Sequence, residues 1–414
     1  MKLAGVLEWL WAAQPPAPVE AKARELALDT LGCVLAASVK PQVQKLAARL
    51  AEADPGGVHV PGFSHSFSVS AAAALFAAAA CWDEACEGLA RAHGRPGVPV
   101  IAACASLGQP LGCTFGDWLR AVIAGYEIGG RLGEVLRIGP GMHVDGYWPA
   151  LGVAAAAVRL SGGSAAQALA AVRIAACQLP HSLYLPVLHG SEARNTYLGH
   201  SAQLGLLAAS AALAGITAPQ SGNEHVAPPG EWLLLEGYLK AFAAVRHVHY
   251  GAAAAIALRP RIVHRLRDIS RIELRIYAEA MTYCGNRAPT RPIQAQFSLS
   301  YGLTRALVSG DLSPDAYSDS ALGDPLSRAL EARVELAEDA ALTRAGRRGA
   351  RLTVELQGER LEHVIDALPA MSREGVITKF ASYAQLPPAA AVRFVDAPAQ
   401  SSLPALLRQL AGRP

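Results

Sequence analysis

Hydrophobic residues recur at helical spacing through roughly the first 258 positions. In the stretches 21–38 and 164–179, alanine and leucine alternate with charged or polar residues at a period near 3.6. Alanine favours helices, and its thin side chain lets helices pack closely. Gly-Gly, Pro-Gly and Pro-Pro pairs separate these stretches, and no strand pattern of any length appears among them. The pattern therefore predicts a large all-helical domain over residues 1–262.

The hydrophobic pattern changes near residue 260. In 270–281, Ile272, Leu274 and Ile276 alternate with polar residues, which is typical of a half-buried strand. The stretch 350–366 indicates two strands around Gln357-Gly358, a hairpin. Helical stretches lie at about 292–309, 313–334, 373–385 and 402–412. We therefore predict a mainly α protein whose smaller α+β domain spans 263–399, with a last helix, 400–414, returning to the helical domain.

Composition narrows the class of protein. The 414 residues are 52% hydrophobic and 17% charged, which indicates a globular chain with a large core. The net charge is only +3, and no basic cluster with interleaved aromatic residues appears, so we expect no nucleic-acid partner. The longest weakly polar run, 67–82, falls short of the roughly 18 residues that indicate a membrane span. We read it as a buried helix and expect no membrane partner.

The cysteines indicate neither a metal site nor a disulfide framework. Seven are scattered without a CxxC pair, which fits core residues in a reducing, cytoplasmic compartment. No other His, Cys, Asp or Glu cluster has the spacing of a metal site. Nucleotide-binding glycine motifs, HExxH and GxSxG are also absent from the sequence. We therefore expect no metal and no cofactor.

Polar residues crowd the start of one alanine-rich helix, in the stretch GMHVDGYWPALGVAAAA at 141–157. Pro149 is a natural first-turn residue, so the free amide groups of this helix would face the loop that carries His143 and Asp145. Such a helix end attracts anions, and His143 could contact a bound carboxylate or transfer a proton. The alternative is that His143 and Asp145 only cap the loop.

Two further stretches concentrate chemically useful side chains. In 238–255, Lys240, Arg246, His247 and His249 precede another alanine run and suit an anionic ligand, although a solvated basic face is the alternative. In 282–292, Tyr283 and Arg287 lie in a loop between a strand and a helix. The phenol of Tyr283 could donate a proton or merely pack. Neither stretch identifies a reaction.

Taken in order, seven stretches resemble the MmgE/PrpD family, which includes 2-methylcitrate dehydratase, cis-aconitate decarboxylase and iminodisuccinate epimerase. The resemblance covers nearly the whole chain. It is carried by 28–36 (LDTLGCVLA), 95–108, 125–136, 141–162, 197–219, 246–255 (RHVHYGAAAA) and 286–307. It implies a homodimer with a site in the cleft between the two domains, without metal or organic cofactor. It also implies a small anionic carboxylate as substrate.

The resemblance implies roles for individual residues. His143, Lys240 and Tyr283 match family positions and become the candidate catalytic residues. The candidate substrate-binding residues are Asp83, Arg95, Arg194, Arg246, His249 and Arg287. Arginines can hold carboxylates through two bonds, and fixed cations stabilise negative charge that develops beside a carboxylate.

The first site loop departs from the family pattern. The family commonly has Asp-Phe-Asp-Asp-Thr followed by His-Pro, whereas this chain has Cys81-Trp82-Asp83-Glu84-Ala85 and Arg95-Pro96. An imidazole has become a permanent cation, and His93 could replace it if the loop shifts. We therefore expect a lyase that removes water from a di- or tricarboxylic acid other than 2-methylcitrate. An epimerase or decarboxylase on a similar acid, or an inactive homologue, remains an alternative.

Overall fold

The structure is a computed structural model that describes residues 1–220, 222 and 224–410. Eleven α-helices precede the main sheet: α1 Leu3–Ala12, α2 Ala17–Ala37, α3 Pro41–Ala53, α4 Val69–Cys81, α5 Gly97–Leu111, α6 Phe115–Val135, α7 Pro149–Leu160, α8 Ala165–Ala176, α9 Leu185–His189, α10 Tyr197–Leu213 and α11 Arg246–Ile262. Two short strands, β1 Val58–His59 and β2 Ser66–Phe67, pair between α3 and α4. Sequence patterning missed them because two-residue strands carry no period.

The sheet and the remaining helices follow. The strands are β3 Ile269–Ile276, β4 Val334–Glu338, β5 Ala350–Leu356 and β6 Glu359–Ile365. The helices are α12 Ala278–Cys284, α13 Pro292–Gln296, α14 Leu299–Ser309, α15 Asp319–Leu322, α16 Pro325–Glu331, α17 Ala340–Arg344, α18 Arg373–Ala384, α19 Pro388–Val395 and α20 Leu403–Leu410. The protein is therefore mainly α, with a helical domain and a small mixed sheet, as predicted.

The sheet has the strand order β4-β3-β5-β6, in which only β3 and β4 run parallel. The inward side chains of β3, including Ile272 and Leu274, are fully buried, which explains the alternation in the sequence. Gln357 and Gly358 both adopt positive φ at the β5–β6 turn, the geometry that a two-residue hairpin requires. The α11 helix packs on this sheet, with Gly251 facing Leu274.

Alanine and glycine allow the helices around the site to approach closely. At Gly125 of α6, an added methyl group would lie 2.7 Å from the Ala156 methyl and 2.8 Å from the Gly152 carbonyl of α7. Large side chains at this crossing would push α7 away from α6. The close approach fixes the start of α7, and with it the loop that carries His143.

Two predicted helices are interrupted. The stretch 292–309 divides at Ser298, whose hydroxyl caps α14 by accepting from Tyr301 N. The predicted helix over 313–334 is wrong as one element: Gly323, Asp324 and Pro325 end one helix and start another, and β4 begins at Val334. Turn and capping residues override the helical period here.

The C-terminal helices lie against the helical domain. Phe380 of α18 packs on Gly32 of α2, and Lys379 donates to Asp29 Oδ1 at 2.6 Å. Ser402, just before α20, pairs with Thr114 at the start of α6. Residues 411–414 of the predicted last helix lie outside the described residues.

Candidate active site

A cavity of about 400 Å³ lies between the helical domain and the sheet-containing part of the chain. Residues 84–95 and 136–148 form much of its wall, and the start of α11 and the helix α12 contribute from the other part. Its polar lining includes Glu84, Glu87, His93, Arg95, Arg137, His143, Tyr184, Tyr238, Lys240, Arg246, His247, Glu279, Tyr283 and Arg348. This volume and concave shape are typical of a small-molecule site.

Glu84 lies at the centre of a buried ion cluster. Its carboxylate accepts from Lys240 Nζ at 2.6 Å, from Arg95 at 3.1 Å and from Arg194, and all four residues are largely hidden from solvent. Burial alone would raise the pKa of Glu84, but Arg194, Arg95 and Lys240 outweigh it and hold that pKa well below its usual range. The backbone of Glu84 has a φ of 54°, an uncommon value for a residue with a side chain.

Asp145 completes the ion cluster. Its Oδ1 accepts from Arg95 Nε at 3.1 Å, and its Oδ2 lies 3.6 Å from Arg194 Nη2. Burial would raise the pKa of Asp145, yet Arg95, His143 and Arg194 lower it below its usual value. The cluster therefore contains three cations (Arg95, Arg194, Lys240) and two carboxylates (Glu84, Asp145), which leaves one net positive charge beside the cavity.

His143 lies against this cluster as a neutral imidazole. The residue is 5% exposed, and burial lowers its pKa to about 4 against the opposing charge of Asp145. Asp145 N donates to Nδ1 at 3.2 Å, and Arg194 Nε contacts Nε2 at 3.4 Å. A neutral imidazole can accept at only one nitrogen, so the two contacts depend on the tautomer. Because both neighbours are N–H donors, a second proton on the ring is disfavoured.

Glu87 lies in the same loop as Glu84, but no cation of the described residues forms an ion pair with it. Its Oε1 accepts from the amide groups of Gly97 and Val98 at the start of α5, at 2.8 and 3.4 Å. Its Oε2 is buried and has no partner among the described residues. Burial raises the pKa of Glu87 to about 8, although the Gly97 amide opposes the shift. At neutral pH this carboxyl therefore carries its proton.

Aromatic rings connect His143 to the residues from α11 and α12. Tyr184 stacks on His143 with centroids 5.8 Å apart and meets the Tyr283 ring edge-on at 5.4 Å. Tyr283 stacks in turn on His247, which contacts Tyr277 Oη at 2.6 Å. Tyr283 is 37% exposed and lies in the last turn of α12, whereas the sequence pattern placed it in a loop.

Arg246 is a cation on the cavity wall without a carboxylate partner. It is the first residue of α11, and its guanidinium lies over the Tyr238 ring, 4.3 Å from the centroid. None of the ion pairs found across residues 1–220, 222 and 224–410 includes it. A charged side chain next to the free amide groups of a helix start is suited to hold a ligand carboxylate.

The cavity mouth carries a contact between the two parts of the chain. His93 Nδ1 lies 3.7 Å from Glu279 Oε1 of α12, and Arg348 Nη2 donates to Glu279 Oε2 at 3.1 Å. His93 has a φ of 53°, and its side chain is half exposed. Burial and the nearby Arg137 lower the pKa of His93.

The structure brings five of the nine predicted site residues to the cavity wall: Arg95, His143, Lys240, Arg246 and Tyr283. The donors of Arg95, however, are occupied by Glu84, Asp145 and Cys86, so its guanidinium is not the free fork expected from the sequence. The start of α7 is not the expected anion site either. Of the described residues there, Trp148 lines the cavity and Pro149 does not.

Four predicted substrate-binding residues lie away from the described cavity wall, which corrects their expected placement. Asp83 turns toward Lys40 at 3.5 Å. His249, two positions after the cavity residue His247 on α11, contacts the Ala244 carbonyl at 3.1 Å. Arg287 donates to the carbonyls of Glu331 and Val334. Arg194 is fully buried behind Glu84, where it can act only through the ion cluster.

Sequence reasoning did not select several cavity residues. Glu84 and Glu87 follow Asp83 within four positions, and two acidic residues in a loop before an apolar helix were a usable signal. Arg348 and Glu279 carried no local signal, because tertiary contacts alone bring them to the mouth. Among the described residues, no group of three or more His, Cys, Asp or Glu side chains is placed to hold a metal ion. No helix in the described ranges has the length and hydropathy to cross a bilayer.

Comparison with known proteins identifies the family. No curated protein matches the chain significantly. Two family domain profiles match consecutive parts of it: the MmgE/PrpD N-terminal domain over residues 2–241 and the MmgE/PrpD C-terminal domain over 242–396. The junction at 241/242 falls within the lining of the cavity, between Lys240 and Arg246. The chain therefore belongs to the MmgE/PrpD family, which includes enzymes such as dehydratases.

Proposed function

We propose that this protein is a lyase of the dehydratase type that removes water from a small di- or tricarboxylic acid. One observation carries the proposal: a neutral imidazole, His143, lies on a cavity wall whose fixed charge is positive. Removal of a proton beside a carboxylate needs both a base that is free of its proton and cations that stabilise the resulting negative charge.

Arg246 is the proposed contact for a substrate carboxylate. It faces the cavity, and no anionic partner contacts it in the described part of the chain, so binding a carboxylate there breaks no ion pair among those residues. The ion cluster, which includes Lys240, contributes one further positive charge next to His143. Arg95 and Arg194 act in this proposal by holding Glu84 and Asp145, and Arg95 is not assigned to the substrate.

His143 is the proposed base. It accepts the proton from the carbon next to the carboxylate and becomes an imidazolium. Asp145 Oδ2, which has no hydrogen-bond partner among the described residues and lies 3.9 Å from Nδ1, stabilises that imidazolium.

Tyr283 is the residue proposed to donate a proton to the leaving hydroxyl. Its ring reaches the cavity from α12 and is partly exposed, so its phenol can meet a substrate held at Arg246. Lys240 Nζ, bonded to Glu84, stabilises the negative charge that builds up before the hydroxyl leaves. Water then departs as the carbon–carbon double bond forms.

The experiment is a panel of hydroxylated di- and tricarboxylic acids incubated with the protein in D₂O and followed by NMR. We expect an unsaturated product, or deuterium next to a carboxylate, from at least one acid, and we expect the His143→Ala variant to lose the signal. Deuterium with inverted configuration and no loss of water would identify an epimerase instead, and release of CO₂ a decarboxylase. If no acid of the panel exchanges or reacts, the proposal is wrong.

A further inference from the structure

Apolar side chains from one loop form part of the cavity wall. Between α6 and α7, the side chains of Leu136, Ile138, Met142, Val144 and Trp148 all line the cavity. Trp148 is fully buried, since its ring fills the space left by Gly94 and Gly133. The other four are only partly buried and leave apolar surface facing the cavity.

A substrate that contains only carboxylates and hydroxyls would make no favourable contacts with this apolar surface. Carboxylates placed against leucine, isoleucine and methionine would lose water without gaining hydrogen bonds, which is costly. The cations proposed to hold the carboxylates, Lys240 and Arg246, come from other segments, and so does Tyr283 of α12, whereas the proposed base His143 lies in this loop. Two charged residues lie in this loop: Arg137 is exposed and acts on His93 at the mouth, and the buried Asp145 is paired with Arg95.

The cavity is also large enough for more than an anionic head. Its volume of about 400 Å³ lies within the range of sites that enclose drug-sized ligands. Binding becomes more favourable when a ligand covers partly exposed apolar side chains in a concave wall. Their position in a loop that also carries His143 places any such ligand group next to the reacting atoms.

We propose that the substrate carries an apolar arm: a di- or tricarboxylic acid with an alkyl or aryl substituent that lies against Leu136, Ile138 and Met142. The carboxylates contact Arg246, and the arm extends along the loop between α6 and α7. This inference rests on the proposed function for the anionic head, while the arm itself rests on the apolar wall.

The test is calorimetric binding of succinate and a series of 2-alkylsuccinates, from methyl to hexyl. We expect affinity to rise about threefold for each added methylene, somewhat less than full burial of each group would give. In the Ile138→Asn variant, the increase in the logarithm of the affinity per added methylene should fall to less than half of the parent's value. Ile216→Asn, the same change at a position that is 57% exposed and away from the described cavity wall, should keep the full dependence.

The outcomes separate the arm from the head. If the acids bind, lose affinity in Arg246→Ala and show no dependence on chain length, the arm is wrong and the anionic site stands. A chain-length dependence that survives both Ile138→Asn and Met142→Thr overturns the placement of the arm on this loop. If no member of the series binds, the proposed anionic site and the proposed apolar arm are both wrong. Thermal melting of each variant confirms that the fold is intact.

Discussion

Glu84 and Glu87 lie three residues apart in one loop, are equally buried at 1% exposure, and end in opposite states. Glu84 is ionised, because three cations contact its carboxylate. Glu87 keeps its proton, because burial raises its pKa to about 8 and the two backbone amides that contact its carboxyl only partly oppose that shift. Burial is the same for both residues, so the difference comes from the partners that the fold brings to each.

The comparison of Glu84 with Glu87 explains how a loop with acidic residues can line a site for an anionic ligand. Glu84 and Asp145 are outnumbered by Arg95, Arg194 and Lys240, and Glu87 is neutral at pH 7. The loop therefore adds no net negative charge to the cavity wall. Two carboxyl groups that look alike in the sequence reach this result by different means, one through ion pairs and one through its proton.

The largest expected effect is on stability, from Glu84→Gln. Among the described residues, the change leaves Arg95 and Arg194 buried with Asp145 as their remaining carboxylate and leaves Lys240 without an ion pair. Removing one partner from a buried ion network costs about 3–5 kcal/mol, so we expect a loss of this order in the free energy of unfolding at pH 7. Urea unfolding measures it. Glu87→Gln is the matched control at this pH, and equal stability of the two variants would refute the assigned difference.

The next effect is on turnover, from His143→Ala. Loss of the proposed base should lower the rate of the reaction found in the acid panel by roughly 100-fold, the usual scale for acid–base catalysis. Circular dichroism and melting should show an intact fold. His200→Ala, at an exposed position on α10, provides the control. A decrease of less than about threefold would mean that His143 is only a loop residue.

The third expected effect is the pH dependence of stability that Glu87 adds. Burial raises its pKa from 4.5 to about 8, so between these values the folded protein keeps a proton that the unfolded chain releases. The stabilising contribution is complete below about pH 4.5 and is lost as pH rises through 8. The slope is at most about 1.4 kcal/mol per pH unit, the value for one proton.

Glu87→Gln should remove this contribution. We expect parent and variant to be about equally stable near pH 5, and the variant to be the more stable of the two at pH 8. Urea unfolding at four pH values between 5 and 8 measures the difference. Glu8→Gln, at an exposed position on α1, should follow the parent at every pH. A constant difference between parent and Glu87→Gln would show that Glu87 is ionised throughout.

Local patterns predicted much of the fold. The start of α7 at Pro149, the hairpin at Gln357-Gly358 and the alternation in β3 are each set by residues within a few positions of one another. The strand β4 was missed because its residues 334–338 follow a helical period without a break in composition. Its identity as a strand depends on pairing with β3, from Ile272 to Ile276, about 60 residues earlier.

The residues at the cavity were partly predictable from the sequence, whereas their pairings were not. His143, Lys240 and Tyr283 were selected as matches to family positions, and each lies at the cavity, while their roles stay predictions. Arg95 was expected to face the substrate, because a sequence does not show that Glu84 and Asp145 will occupy its donors. Asp145 is 50 residues from Arg95, and Arg194 is 110 residues from Glu84, so only the folded chain decides which charges neutralise one another.

The most direct test of the account is the protonation state of the two loop carboxyl groups. Carbon NMR of protein labelled at the glutamate carboxyl carbons, assigned with Glu84→Gln and Glu87→Gln, follows both groups from pH 4 to 9. We predict that Glu84 stays ionised over this range and that Glu87 gains its proton as pH falls through about 8. A Glu87 resonance that remains ionised down to pH 5, or a Glu84 resonance that titrates near neutrality, would contradict the account.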